Sequence, residues 1–542
     1  MSCARTIFWL LLSLGMSIPL LAQTDTARLT GTVTDPNGAV VAGATVTVTN
    51  LGTQRAVTVQ SDQVGNYVVA ALPPGQYQVE LKQTGFRTVT QQITLQTQQV
   101  AALNFQLQVG QVAENVTVTT DVPLVESASS NISSVVVGRQ ITELPLNGRN
   151  FTQLATLVPG VTRGLPGGQG TGAGNQAETF RYNNTGGASL SVNGLRPQNN
   201  NFLLDGIDNN ESLVNTIIFF PPAEAIDEFR VDTSVAPAEF GRAGGGVVNT
   251  RFRSGTNDIH GSAFYFMRND NLDAKPFFVP GPKSEFKRHQ FGGSIGGPII
   301  KNKLFVFGDY QGLRQYLPLA QDRATVPTDL MRQGDFSELL TVLDQHGNLA
   351  PIQIKDPKTG LPLAGNMVPN NEIIAPGQNY LKAYPEPNVT GSNPLCGQFN
   401  ASGVCIKQNY VTQRKNIQNF DDFDVRVDWI IRSQDTLFGR YSYGRDKEDT
   451  TSRLPALPAG FGSGIQANYP KSFALGETHT FGTSVINEFR FGWIKTTFGY
   501  TPPFDNVPLS ANLGIPNANT SPLLGGGWAS LRCPRADVFS RE

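Results

Sequence analysis

Residues 423–432 read FDVRVDWIIR, and their alternation admits few folds. Phe423, Val425, Val427, Trp429 and Ile431 fall on one side of an extended chain, and Asp424, Arg426, Asp428 and Arg432 on the other. Successive side chains of a strand point to opposite faces. A soluble sandwich would bury the apolar face and wet the charged one. A transmembrane barrel does the reverse, with lipid on the apolar side and a water-lined lumen on the charged side. The stretch INEFRFGWIK (486–495) repeats the pattern, setting Phe489, Phe491 and Trp493 against Glu488 and Arg490. A tight SQD turn leads from the first strand into TLFGRYSYGRD. Long Asn/Pro/Gly-rich stretches such as 317–420 fit the outer loops of a membrane barrel better than a compact sandwich.

Composition agrees with a β-rich chain. Charged residues make up 16% of the 542, below the roughly 25% of ordinary soluble domains. Gly is abundant at 56 residues, whereas long helices favour Ala, Leu, Glu and Lys. The length suggests roughly three domains. A formal net charge of −1 with no basic stripe implies no nucleic-acid partner.

The N-terminus carries an address. Arg5 precedes the apolar run Ile7–Leu21, and the small residue Ala22 closes it. This is the plan of a secretory signal peptide over 1–22, cut after Ala22. A membrane anchor would need a run of roughly 20 apolar residues, longer than this one. Cys3 leaves with that peptide. Cys396 and Cys405, in NPLCGQFNASGVCIKQN, are candidates for a local disulfide in an oxidising compartment, with two unpaired loop thiols as the alternative. Cys533 stands alone near the C-terminus.

Residues 26–110 hold short alternating strands punctuated by Gly and Pro, the pattern of a small β-sandwich. GTVTDPNGAVVAGATVTV followed by GNYVVAALPPGQYQVELKQTGF resembles the carboxypeptidase regulatory-like domain, a transthyretin-like sandwich grouped with carbohydrate-binding-like folds. The name implies no peptidase activity. None of His260, His289, His346 or His479 has a Glu at zinc-peptidase spacing, and no cofactor is read from the sequence.

Residues 121–258 mix short strands with Asn/Gly turns and an unusual polar load. LPLNGRNFTQLATLVPGV predicts a short helix capped by Asn150 or Thr152, with Leu154, Leu157 and Val158 on one face. This segment, together with VNGLRPQNNNFLLDGIDN (192–209), EFGRAGGGVVNTRFRSGTNDIHGSAFYFMRNDNLDA (239–274) and FGGSIGGPIIKNKLFVFGDYQG (291–312), resembles TonB-dependent outer-membrane receptors of the Oar-like group. The resemblance runs from about residue 26 to 528. It implies a mostly β protein of the Gram-negative outer membrane: an N-terminal sandwich, a mixed plug at 121–258, and a transmembrane antiparallel barrel beginning at 259. It further implies energised uptake of a bulky extracellular ligand, an oligosaccharide or a chelate. Energy would come from the TonB complex, which pairs with a short extended segment, the TonB box, by β-augmentation. In the family this box reads as an acidic residue followed by Thr/Val-rich residues. Glu114, Asn115, Val116, Thr117, Val118, Thr119 and Thr120 resemble it, within a linker at 111–120 directly before the plug. A last strand of the sandwich is the competing reading of this stretch. The competing function, from a different class, is a surface-exposed glycan- or protein-binding adhesin without transport.

Three motifs imitate chemistry. GGSIG (292–296) matches a hydrolase elbow, but Pro298 and a second strand follow instead of a helix. GGQGTGAG (167–174) lacks the GK[ST] ending of a phosphate loop. Asp205 and Asp208 in LDGIDNNE depart from calcium-loop spacing and read as a turn. No nucleophile–base or metal constellation is visible, so an enzyme is not expected. About 284 residues follow residue 258, room for eight to ten strands, whereas the family barrel has about 22. With an atypical tail at 529–542, the expectation is a partial barrel over 259–528 and a C-terminally truncated receptor.

Overall fold

A computed structural model gives the structure of residues 25–110, 115–118, 132–163, 190–211, 217–234, 243–275, 283–391, 393–455, 463–482, 485–501 and 507–515, with residues 215, 236, 240, 241, 277 and 503 between them. The signal-peptide residues, Gly-rich run 167–174, Cys533 and the tail lie outside the described residues.

The N-terminal unit is a two-sheet sandwich. Strands β1 (Ala27–Thr34), β2 (Thr45–Asn50), β3 (Ala56–Gln60), β4 (Asn66–Leu72), β5 (Gly75–Lys82) and β6 (Thr88–Leu95) are followed by the short β7 (Val100–Ala102) and β8 (Phe105–Gln106). Alternation places Leu29, Val33, Val46, Val48, Val79 and Leu81 in one apolar core. The DPNG turn forms because the Asp35 carboxylate accepts from the N–H of Asn37 (2.9 Å) and Ala39 (2.8 Å), while Gly38 takes a φ of 83°. One sheet runs β4-β1-β7, with β8 also on β1. The other runs β3-β2-β5-β6 and continues into β9 (Asn115–Val118), which pairs parallel to β6. Residues 115–118 are thus laid on the sandwich and not held free of it.

The second unit contains β10 (Ile132–Val137), β11 (Val161–Arg163), β12 (Leu190–Val192), β13 (Asn201–Leu204), β14 (Ile207–Asp208), β15 (Ile226–Ser234) and β16 (Val247–Phe252). Five of these make one sheet in the order β10-β15-β16-β13-β14. Phe151, Leu154, Val158, Phe202, Phe229 and Val231 form its core. Asn150 caps the 3-10 turn Phe151–Leu157 through the Thr152 N–H, as its sequence suggests. Leu157 is instead 66% exposed, and Phe151 takes the core place beside Leu154. Asn201, Asp205, Asn209, Arg230, Asp232, Asn249 and Arg251 are also buried. A polar surface of this kind is tolerable only against an equally polar wall.

The wall is a sheet of nine strands among the described residues: β17 (His260–Asn269), β18 (Lys287–Ile300), β19 (Leu304–Ala324), β22 (Tyr410–Arg432), β23 (Asp435–Thr450), β24 (Gly464–Asn468), β25 (Lys471–Thr480), β26 (Ile486–Lys495) and β27 (Phe498–Thr501). All its pairings are antiparallel. β24 and β25 both pair with β23 and are one strand broken at Pro470, which has no N–H for the ladder. The outward face is apolar, with Val425 and Trp429 42% and 46% exposed, while Asp424 and Arg426 are 1% and 3% exposed. That inversion of a soluble protein is what lipid outside and a filled lumen inside require. Some strands are much longer than the ten-residue stretches 423–432 and 486–495: β19 has 21 residues and β22 has 23. Only about 9–11 tilted residues are needed to cross the hydrocarbon, so these strands continue well beyond it.

Short turns at 301–303 and 433–434 mark one end of the wall. The long segment 325–409 marks the other, and by the rule of barrel loops that end faces outward. It carries a small core of Met331, Leu339, Val342 and Ile406. A hairpin of β20 (Gln398–Phe399) and β21 (Cys405–Lys407) lies beside it, and Cys396 and Cys405 are disulfide-bonded at 2.03 Å.

Candidate functional site

One aspartate of the plug gathers three arginines of the wall, beside an apolar cluster of Leu204, Phe219 and Phe252 against Phe307. Between β13 and β14 the chain reverses at Asp205-Gly206, and Asp205 takes a φ of 52°, a left-handed value that Asp tolerates better than most residues. Its side chain is fully buried. One oxygen accepts from Arg426 Nη1 at 2.9 Å and from the Phe252 N–H at 3.0 Å. The other accepts from Arg440 Nε at 2.8 Å, and the Asp205 carbonyl accepts from Arg490 Nη1 at 2.6 Å. Three guanidiniums from β22, β23 and β26 therefore converge on one plug turn. Their remaining donors go to Asp428 from Arg426, to Ser442 and Ser472 from Arg440, and to Asp25 from Arg490. At Gly492 on β26, a Cβ would lie 2.1 Å from Ile207 Cγ2, so the absent side chain lets the plug turn approach the wall.

Asp25 extends this network to the chain's first described residue. It pairs with Arg490 of the wall and with Arg251 of β16, the latter at 3.3 Å. Burial works to raise its carboxyl, but Arg490 and Arg251 outweigh burial and hold it well below the usual carboxylate range. Beside it lies a cavity of about 420 Å³, lined by Arg55 and Tyr77 of the sandwich, Asp227 and Arg253 of the plug, and Arg426 and Phe438 of the wall. The sandwich closes this inner end. Arg55 Nε donates to the Ser433 carbonyl at 3.1 Å, and the Asn257 N–H to the Gly52 carbonyl at 2.9 Å.

A second sandwich–plug contact is built around a buried carboxyl, Glu228. The N–H and hydroxyl of Thr97 both donate to Glu228, and Arg230 Nη1 donates to the Thr97 carbonyl at 3.2 Å. Burial, then repulsion from Asp227, pushes the Glu228 carboxyl up from 4.5 to about 7. Its folded value is above its unfolded one, so the folded state holds the extra proton and ionisation works against it. Stability at this seam is expected to fall as pH rises from 4.5 to 7, by at most about 3 kcal/mol, and then level off. Glu228→Gln keeps an acceptor for Thr97 and is expected to flatten that window. Thermal unfolding of both proteins between pH 4 and 8 checks this, and parallel profiles would sink it.

Of the TonB-box candidates, Asn115, Val116, Thr117 and Val118 form β9, while Glu114, Thr119 and Thr120 lie outside the described residues. β9 ends its sheet, so its far edge carries no partner strand among the described residues. Ser294 of the hydrolase-like motif sits in mid-strand on β18, 3.0 Å from the Ser262 hydroxyl, with no helix after it. Sequence reasoning placed Arg426 and Arg490 on the charged faces of their strands but missed their partners. Asp205 and Arg440 are 235 residues apart, and no local spacing signals such a pair.

Comparison with known proteins agrees with this architecture. The chain matches the Carboxypeptidase regulatory-like domain over residues 28–108, the TonB-dependent Receptor Plug Domain over 126–248 and the Outer membrane beta barrel domain over 251–535. It is 26% identical over 306 residues to the TonB-dependent transporter Oar of Myxococcus xanthus, covering 53% of this chain and 27% of that protein. It is also 26% identical over 193 residues to the Probable TonB-dependent siderophore receptor PirA of Acinetobacter baumannii, covering 33% of this chain and 22% of that protein. The alignments thus span about a quarter of the length of these curated relatives. Among solved structures, the siderophore receptor PirA from Acinetobacter baumannii aligns at a TM-score of 0.39 and 16% identity, over 70% of this chain and 41% of that one. The outer membrane transporter YddB from Escherichia coli aligns at 0.39 and 14%, over 67% and 39%. With the barrel domain alone matching more than half of its residues, the chain belongs to the TonB-dependent receptors of the Gram-negative outer membrane.

Proposed function

We propose that this chain serves energised, TonB-coupled uptake of a bulky ligand across the outer membrane. The observation that supports it most is the Asp205 seat, which holds a polar plug inside the wall through three lumen-facing arginines. Apolar packing across the same seam is one small cluster, in which Leu204, Phe219, Ala225 and Phe252 of the plug meet Phe307 of the wall, so most of what force must break there is polar. The handle for that force is the segment 114–120. Its described part, β9, offers a strand edge with no partner strand among the described residues, to which another chain can add main-chain hydrogen bonds. A chelate is the favoured ligand class, since one relative is named a siderophore receptor; an oligosaccharide is the alternative. An adhesin that binds through the sandwich fits less well. The sandwich contacts Ser433 at the short-turn end, away from the long loops that would face the surroundings.

Val116→Pro, in the full-length receptor, is expected to reduce ligand uptake to background while leaving its amount in the outer membrane unchanged, because proline removes a ladder donor from the strand TonB would pair with. A cysteine placed at 116 should form a disulfide with a cysteine-bearing TonB. Normal uptake by the proline variant would mean that 114–120 is not the box.

A further inference from the structure

The luminal face of the wall carries an array of negative charge that the plug seat does not use. Asp309 on β19 lies directly across the ladder from Asp424 on β22, and Gln311 lies across from Asp422. Residues two apart on a strand share a face, so these four side chains form one patch. All are buried, Gln311 at 9% exposure being the least so. Carboxylate oxygens of Asp309, Asp422 and Asp424 come within 4.8 Å of one another. Among the described residues, one oxygen of Asp422 has no donor, and Asp309 and Asp424 face each other, with the Ser442 hydroxyl beside Asp424.

No Arg or Lys forms an ion pair with them among the described residues. Arg440, on the neighbouring strand, directs its donors to Asp205, Ser442 and Ser472. The Arg440 charge acts on Asp424 without a direct pair. Three buried carboxylates near one guanidinium that is already engaged with Asp205 are costly, and buried charges are ordinarily paired or bound to metal. An independent signal comes from Gln311, which is not acidic. Its Oε1 is also buried without a partner, in the row of the patch shared with Asp422.

We propose that Asp309, Asp422, Asp424 and the Gln311 side-chain carbonyl bind one calcium ion in the barrel wall beneath the plug. The chemistry selects the ion class: all ligands are oxygen, with no His or Cys among them, which suits a hard cation. The spacing fits as well. Two oxygens each about 2.4 Å from a shared Ca²⁺ lie no more than about 4.8 Å apart. Three carboxylates and an amide oxygen reach six or more ligands when some carboxylates bind through both oxygens. The plug turn Ala223–Ala225 packs on β18 and β19, so a bound ion would brace the wall where the plug rests. This goes beyond the uptake reading and does not depend on it.

The test uses the full chain in detergent, stripped with EDTA and titrated with CaCl₂ by calorimetry. One Ca²⁺ per chain is expected, with a thermal midpoint that falls on stripping and recovers on addition. Asp422→Asn should weaken binding at least about tenfold, and Gln311→Leu by a smaller factor. In the metal-free state Asp422→Asn should melt no lower than the wild type, since a repulsive charge is gone. The wild-type measurement stands without any variant. Absence of stoichiometric Ca²⁺ uptake with an EDTA-insensitive midpoint would overturn the proposal, as would unchanged Ca²⁺ affinity in Asp422→Asn.

Discussion

Asp205→Ala is expected to destabilise the joined plug and wall by about 3–5 kcal/mol, the cost of leaving buried charges without their partner. Arg426 and Arg440 would each lose a direct ion pair in a site where neither is more than 3% exposed. Arg426 retains Asp428, but Arg440 keeps only hydroxyl acceptors. Asp205→Asn should cost less, since one amide oxygen can still accept, while its NH₂ group faces a guanidinium. Thermal unfolding and protease access to the plug in detergent give the measurement. A variant whose midpoint moves by less than a degree would show that the three arginines are satisfied without Asp205, and the seat would lose its role.

The second large effect tests the membrane itself. Val425 stands on the outward face of β22 between Phe423 and Val427, and it is 42% exposed to the surroundings. On a soluble protein, Val425→Arg at such a site would change stability by no more than about 0.5 kcal/mol. At mid-depth in a bilayer the same change costs about 2–4 kcal/mol. Unfolding in lipid vesicles and in detergent separates the two cases. A near-neutral result in lipid would place this face in water.

The alternation of residues 423–432 carried most of what the sequence could say about the wall, because a period of two is a local property and survives without the partner strand. It assigned every residue of that stretch except Ile430 to lipid or lumen. It could not supply the partners, since those come from other strands and from the plug. Asp205 illustrates this: in LDGIDN it reads as one more Asp-Gly turn, and only the assembled fold brings it to Arg426, Arg440 and Arg490. The acidic patch was hidden in the same way, with Asp309 and Asp422 more than a hundred residues apart in sequence and two residues apart in register. The regulatory-like sandwich was legible for its Gly and Pro punctuation. Strand β9 was half legible: its Val/Thr run indicated an extended chain, but a parallel neighbour depends on a crossover that composition does not record.

The strict alternation of the wall strands also bears on how such a chain is delivered. A segment halts in an inner membrane when it offers about 18 or more apolar residues in a row. β22 places a charged or polar residue at nearly every second position through Tyr410–Arg432, and β26, ten residues long, carries Asn487, Glu488, Arg490 and Lys495. Neither can stall there as a helix. The hydrophobicity is latent: it exists only as a surface, once neighbouring strands have aligned, and a single extended chain does not display it. A chain patterned in this way can be threaded across one bilayer and still be retained by the next.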